Sequence, residues 1–202
     1  MTAGIDHPDG PRMVLVRHGE TDWAATGRHT GRTDIPLNDN GRRQAGLVKE
    51  RLRGREFREV LVSPLGRAME TCRLSGFADV AKVDDDLAEW DYGGYEGLRT
   101  PEIREDRPGW SIWTDGVPDG EQVADLAARV DRVIDRVLAG GPGDVLVFAH
   151  GHSLRVLAAR WLGLDGEWGR ALLLTPAAVS TLGWERDNPV LVRWNDPPDP
   201  DG

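Results

Sequence analysis

Three short apolar runs, at 13–16, 60–62 and 145–149, each lead into a segment with helical spacing, and that alternation constrains the fold more than any other feature. The first run follows a Gly-Pro pair and reads as a buried strand with Arg17 and His18 at its carboxyl end. Asn38 then caps a helix expected to reach about Arg53, with Ala45, Leu47, Val48 and Leu52 on its apolar face. The second run ends in Ser63-Pro64 and opens a helix over 67–74, which places Arg67 near its start. A weaker strand is expected at 80–83, followed by a glycine-rich loop over 87–98. Val123, Leu126, Val130, Val133, Ile134 and Val137 mark one face of a long helix that Gly140-Gly141-Pro142-Gly143 terminates. The third run delivers His150 as the first delivers His18, and a helix over 154–162 follows. A closing hairpin is expected from 178–184 and 190–194 around Asp187-Asn188-Pro189. Strands alternating with helices predict a three-layer α/β fold in one domain spanning residues 1–202, with tails at about 1–11 and 196–202.

Composition narrows the function. Hydrophobic residues make up 39% and charged residues 29%, a mixture that fits a soluble globular fold and neither a disordered nor a membrane protein. A formal charge of −9 argues against a general nucleic-acid binder, so an anionic substrate needs a local group of arginines. Cys72 is the one cysteine, and the polar N-terminus has no apolar h-region, so the cytoplasm is the expected compartment. Oligomeric state has no signature here, because one core accounts for all the apolar faces.

The chemistry-bearing residues gather at strand ends. His18, flanked by Arg17 and Gly19 in RHGET, is placed to present an imidazole nitrogen to a bound phosphate. Arg67, in SPLGRAMET, brings a planar fork of donors to a second strand-to-helix junction. His150, in VFAHGHSLR, adds a donor for the equatorial oxygens of a transferring phosphoryl group. Glu89, in LAEWDYGGYEGL, is the preferred general acid, on the reasoning that an aromatic-lined cleft raises a carboxyl pKa, with Asp91 and Glu96 as rivals. Trp90, Tyr92 and Tyr95 read equally well as core residues around a glycine turn. His150-Gly151-His152 has metal-ligand spacing, and His18 and His29 extend that idea, but no cysteine or carboxylate completes a ligand set.

Six segments in order, RHGETDW, TGRTDIPLNDNGRRQA, LVSPLGRAMET, LAEWDYGGYEG, PDGEQVADLAARV and FAHGHSLR, resemble the histidine phosphatase superfamily, also called phosphoglycerate mutase-like, and within it the bacterial acid phosphatases. The resemblance implies a mixed, mostly parallel sheet with helices on both faces (an α/β/α sandwich) and a phosphatase that needs no metal or other cofactor. It implies His18 as the phosphorylated nucleophile, Arg17, Arg67 and His150 as the phosphate pocket, and Glu89 as proton donor. Thr30, Gly31, Trp90, Tyr92 and Gly151 are the implied substrate-binding positions, and a small phosphate monoester, neither nucleic acid nor membrane, is the implied partner. One departure is Ala24, where the family commonly has Asn, with Thr30 and His29 as candidates to replace that contact. A cofactor-dependent phosphoglycerate mutase and a catalytically silent ligand-binding domain are the rivals. Against the mutase, the stretch from Leu98 to Val123 holds no lysine and no Arg-Arg pair, and its Trp110 and Trp113 suggest an aromatic wall for a less charged leaving group.

Overall fold

The computed structural model describes residues 10–198. In chain order the strands are β1 (Met13–Arg17), β2 (Glu59–Val62), β3 (Ala81–Val83), β4 (Val145–Ala149), β5 (Val179–Glu185) and β6 (Asn188–Asp196). The helices are α1 (Asp22–Ala25), α2 (Asp39–Leu52), α3 (Gly66–Leu74), α4 (Thr100–Asp106), α5 (Ile112–Asp115), α6 (Val123–Ala139) and α7 (Gly151–Trp161). They surround one sheet of order β3-β2-β4-β1-β5-β6. β1 and β2 run parallel to β4, β3 runs parallel to β2, and β5 and β6 complete the far edge antiparallel.

Strand periodicity explains the three layers. Side chains alternate between faces of a strand, so Met13 and Leu15 of β1 join Val145, Val147 and Ala149 of β4 beneath α6 and α7. Val14 and Val16 point the other way, with Leu146 and Phe148, against Val48 and Leu52 of α2 and Ala68 and Cys72 of α3. Both faces are covered, which is why the central strands are apolar at every position. Asn38 caps α2 as expected, its Oδ1 accepting from the Gly41 amide at 2.8 Å.

Several boundaries differ from expectation. α7 begins at Gly151, three residues before the apolar periodicity starts, because its first turn is organised by polar contacts. The last hairpin turns at Arg186 and Asp187, with Arg186 at φ 55°, while Asn188 and Pro189 already pair in β6. Pro189 is tolerated because β6 is an edge strand. Asp196 also belongs to β6, opposite Val179, and pairs with Arg51, so the expected C-terminal tail starts too early. At the other end the Pro11 carbonyl accepts from Trp184 Nε1 at 3.0 Å; the rest of the expected tails, 1–9 and 199–202, lies outside the described residues. Trp110 and Trp113 do not form the expected aromatic wall. They are 2% and 8% exposed and belong to the core beside α6 and α7, with Trp110 Nε1 donating to the Gly116 carbonyl at 2.8 Å.

Adjacent parallel strands put the ends of β1 and β4 side by side, with Arg17 opposite Ala149 and the His18 amide donating to the Ala149 carbonyl at 2.9 Å. The crevice outside such carboxyl ends is where open α/β sheets hold ligands. The start of α2 closes in on the chain leaving β1. A Cβ on Gly41 would lie 2.1 Å from the Glu20 carbonyl oxygen, and one on Gly19 would lie 2.4 Å from the Gly41 carbonyl oxygen. Both contacts are backbone, so neither can yield without moving α2. Gly41→Ala is therefore expected to lose about 1–3 kcal/mol of stability. Gly46, in the same helix with open space around it, provides the contrast, and Gly46→Ala is expected to gain about 0.5–1 kcal/mol. Urea unfolding of the two variants measures both changes, and equal effects would contradict the packing described.

Candidate active site

His18 sits at the mouth of β1 with 4% of its surface exposed. Its Nδ1 lies 2.7 Å from the Gly19 carbonyl oxygen. A carbonyl only accepts, so this contact assigns the ring proton to Nδ1 and leaves the lone pair on Nε2. Burial, then the charges of Arg17 and Arg67, hold the imidazole pKa well below its ordinary value, against the opposing pull of the Gly19 bond. The ring is thus neutral at pH 7. The Gly19 peptide is itself fixed, since its N–H donates to Thr71 Oγ1 at 3.0 Å and the Thr71 hydroxyl donates to the Arg67 carbonyl at 2.8 Å.

Cationic and neutral donors surround that ring. Arg17 donates from Nη1 to the Leu174 carbonyl at 2.5 Å, and its guanidinium lies so close to Gly151 that a Cβ there would sit 3.3 Å from Cζ. Arg67 is fully buried, and its Nη1 and Nη2 donate to the carbonyls of Thr33, Thr30 and Gly31 at 3.1, 3.0 and 2.9 Å. It therefore braces the 30–33 loop as well as placing charge behind His18. His150, also fully buried, stands with its ring centroid 5.1 Å from that of His18 and shares a 2.6 Å hydrogen bond between Nε2 and Ser63 Oγ. Burial holds its pKa well below the ordinary value, with a further push from Arg67, so it acts as a neutral group. Four buried side-chain polar atoms lack a partner among the described residues, and three of them are Arg17 Nε, Arg67 Nε and His150 Nδ1. An unsatisfied buried polar atom costs about 1–3 kcal/mol. Three of them around one histidine mark a site built for an oxygen-rich anion.

Glu89 completes the group. It is 7% exposed and lines the same cavity, of about 180 Å³, as Arg17 and His18. Its Oε1 accepts from the amides of Trp90 and Ser153, each at 2.9 Å, and its Oε2 accepts from the amide of His152 at 3.1 Å. Two of these amides belong to the first turn of α7, where helical N–H groups have no intrahelical partner. The aromatic-lined cleft expected around this carboxyl group is thus replaced by backbone amides. Its rivals are engaged elsewhere: Asp91 pairs with Arg32 at 2.9 Å, and Glu96 accepts from the amides of Gly31 and Thr33 at 2.8 and 3.1 Å. Neither lines the cavity.

Of the expected substrate-binding positions, Thr30, Tyr92 and Gly151 line the cavity, whereas Gly31 and Trp90 do not. Gly31 is consumed by backbone bonds to Arg67 and Glu96. Trp90 is fully buried, donates from Nε1 to the Glu121 carbonyl at 2.7 Å and meets Trp113 edge-on, so its indole supports the core. Ala24 does line the cavity, and so do Thr30 and His29, the two candidates to replace the family's Asn. Sequence reasoning missed Arg28, His152 as a wall residue, and Arg155. The sequence offers His152 only as a metal ligand; its Nδ1 lies 2.7 Å from the Tyr92 hydroxyl. Arg155 was legible in principle, because it lies four residues after Gly151 on the same face of α7.

Comparison with known proteins gives the family. The family model of the histidine phosphatase superfamily (branch 1) matches residues 13–197. An acid phosphatase of Mycobacterium tuberculosis is 42% identical over 177 residues, covering 86% of this chain and 87% of its own. Sedoheptulose 1,7-bisphosphatase of Saccharomyces cerevisiae is 38% identical over 76% of this chain and 68% of its own length. A probable phosphoglycerate mutase of an Enterobacter species is 32% identical over 86% of this chain and 85% of its own. A solved Mycobacterium tuberculosis protein superimposes with a TM-score of 0.88 at 39% identity, covering 93% of this chain and 98% of that one. With the family match running from β1 to the residue after β6, the chain belongs to the histidine phosphatase superfamily, branch 1.

Proposed function

We propose that the protein hydrolyses small phosphate monoesters without a metal ion, passing the phosphoryl group from the ester to Nε2 of His18 and then to water. The observation that carries this reading is the 2.7 Å contact of His18 Nδ1 with the Gly19 carbonyl, which aims a neutral imidazole lone pair into a cavity walled by Arg17 and Glu89. In the first step the P–N bond forms as the P–O bond to the leaving group breaks, and Glu89, in its carboxyl form, gives its proton to the departing oxygen. The Gly19 carbonyl meanwhile supports the charge that develops on the imidazolium. In the second step Glu89 takes a proton from water, which displaces His18 from phosphorus. Arg17, Arg67 and His150 supply the donors that the spreading phosphoryl charge needs. We place the reaction in the cytoplasm, where a chain with one cysteine needs no disulfide.

A mutase reading has a structural observation in its favour beside the 32% identity to a probable phosphoglycerate mutase. The stretch between Leu98 and Val123 has neither a lysine nor an Arg-Arg pair, but Arg28 and Arg155 reach the cavity from elsewhere, and a mutase needs cations beyond its phosphate clamp. Isomerisation of 3-phosphoglycerate outpacing phosphate release from every ester tested would establish that reading instead.

His18→Ala is expected to lower phosphate release across a metabolite panel by about 10³-fold or more. Glu89→Gln is expected to slow alkyl phosphates by at least about tenfold more than p-nitrophenyl phosphate, whose leaving group departs without a proton. Steady-state kinetics on both ester types checks this, and equal losses would remove Glu89 from the acid role.

The neutral histidines also set a pH dependence of stability. His18, His150 and His152 are held well below the ordinary imidazole value, and His29 down to about 4, in every case chiefly by burial. Above about pH 6.5 folded and unfolded chains are both unprotonated at these rings, and the stabilisation is fully present. As pH falls below about 6.5 the unfolded chain binds protons that the folded chain refuses, so stability drops, with a limiting slope of about 1.4 kcal/mol per pH unit for each ring. Denaturant midpoints measured from neutral to mildly acidic pH should show this decline, and a flat profile would contradict it.

A further inference from the structure

We infer that Ser63 is a positioning residue for the reaction at His18: its hydroxyl donates to Nε2 of His150 and keeps the single ring proton on Nδ1, the nitrogen left to donate to the phosphoryl oxygens. This rests on the phosphatase reading above, in which His150 is a donor to the transferring group, and it adds the residue that decides which nitrogen can donate. The sheet places the pair, since Ser63 and His150 are each the first residue beyond a strand, β2 and β4. Parallel register sets Val62 beside Phe148, and the Ser63 amide extends the ladder by donating to the Phe148 carbonyl at 2.9 Å. The next residue, Pro64, has no N–H to offer. The nearest amide ahead of the hydroxyl is therefore that of Leu65, which donates to Ser63 Oγ at 3.3 Å.

The direction of these bonds follows from counting protons. Burial, more than any neighbouring charge, holds His150 neutral, so its ring carries one proton, on either Nδ1 or Nε2. A serine hydroxyl has one proton and two lone pairs. The Leu65 amide can only donate, so it occupies one of the lone pairs. If Nε2 carried the ring proton it would occupy the other, and the Ser63 proton would have no acceptor. The hydroxyl is fully buried, and among the described residues its bonds to Leu65 and His150 are the only ones it makes. A buried donor without an acceptor is costly, whereas the opposite tautomer uses it. Leu65 N–H then donates to Ser63 Oγ, the Ser63 hydroxyl donates to Nε2, and Nδ1 keeps its proton. Nδ1 is buried and has no partner among the described residues, and the His150 ring centroid lies 5.1 Å from that of His18. A phosphoryl group there meets a donor, not a lone pair that would repel its oxygens. The two histidines thus carry their protons on the same nitrogen but turn opposite nitrogens to the reaction. His18 gives its Nδ1 proton to a carbonyl and presents a lone pair. His150 gives its Nε2 lone pair to a hydroxyl and presents a proton.

Nitrogen NMR of isotopically labelled protein reads the tautomer directly, with His150→Ala assigning the signals. At pH 7 the wild-type protein is expected to show His150 protonated at Nδ1 and unprotonated at Nε2, and Ser63→Ala to show a mixture of the two tautomers. With p-nitrophenyl phosphate, Ser63→Ala is expected to lose about 10- to 100-fold in kcat with little change in KM, and Ser63→Thr, which keeps the hydroxyl, should recover most of that loss. Because Ser63 acts through the imidazole, the same substitution made in a His150→Ala background should cost little more. A proton on Nε2 of His150 in the wild-type protein, full activity in Ser63→Ala, or equal losses in the two backgrounds would overturn the proposal. If Ser63→Ala does not fold, the wild-type tautomer decides the matter alone. A wild-type protein that released no phosphate from p-nitrophenyl phosphate would overturn the phosphatase reading, and the tautomer would still decide the direction of the Ser63 bond.

Discussion

The hydrogen bond from His18 Nδ1 to the Gly19 carbonyl is the contact on which the site depends. It is a bond between neighbouring residues, yet it holds only because the Gly19 peptide is clamped from outside. Its N–H is bonded to Thr71 on α3, and Gly41 at the start of α2 presses against its Cα. Two helices from one face of the sheet therefore orient one peptide, and that peptide orients the ring. Burial and two arginines then keep the ring neutral, so position and protonation state are supplied by the same packing.

The opposite wall is built on another principle. Glu89 is held by backbone amides, two of them from α7, a helix whose other contribution is to carry Gly151 flat against Arg17. The first turn of α7 thus positions the carboxylate, spaces the guanidinium and, one turn later, projects Arg155. Because α7 packs its apolar face into the core shared with α6 and β4, the geometry of the site is tied to the most deeply buried part of the protein. Arg67 ties in the remaining side by holding the carbonyls of the 30–33 loop.

What could be read beforehand follows the range of the interactions. The strands, the Asn38 cap and the placing of Arg17, His18, Arg67 and His150 at strand ends and helix starts are local, so apolar runs and turn residues revealed them. Glu89 could be named as a candidate, but its mode of support could not, because the Ser153 amide that holds it lies 64 residues away. Trp110 and Trp113 differ from expectation for a related reason, whereas Trp90 follows its core reading and not its substrate-binding one. They occur in a loop-rich stretch that looks exposed, and only tertiary packing beneath α6 and α7 turns them into core. Arg28 and Arg155 carry no local signal of function, since an arginine on a helix or loop is ordinarily solvated. Their place in the cavity wall is visible only once the fold has closed.

The central claim concerns one atom. Because Nδ1 is bound to the Gly19 carbonyl, only Nε2 of His18 is free to accept a phosphoryl group. Rapid-quench trapping of the phosphorylated protein with a slowly hydrolysed ester, followed by phosphorus NMR and mass spectrometry of the isolated peptide, distinguishes the two phosphohistidine isomers. The account predicts an acid-labile phosphate on Nε2 of His18 and on no other residue. A phosphate on Nδ1, on another side chain, or no covalent intermediate during active turnover would contradict it.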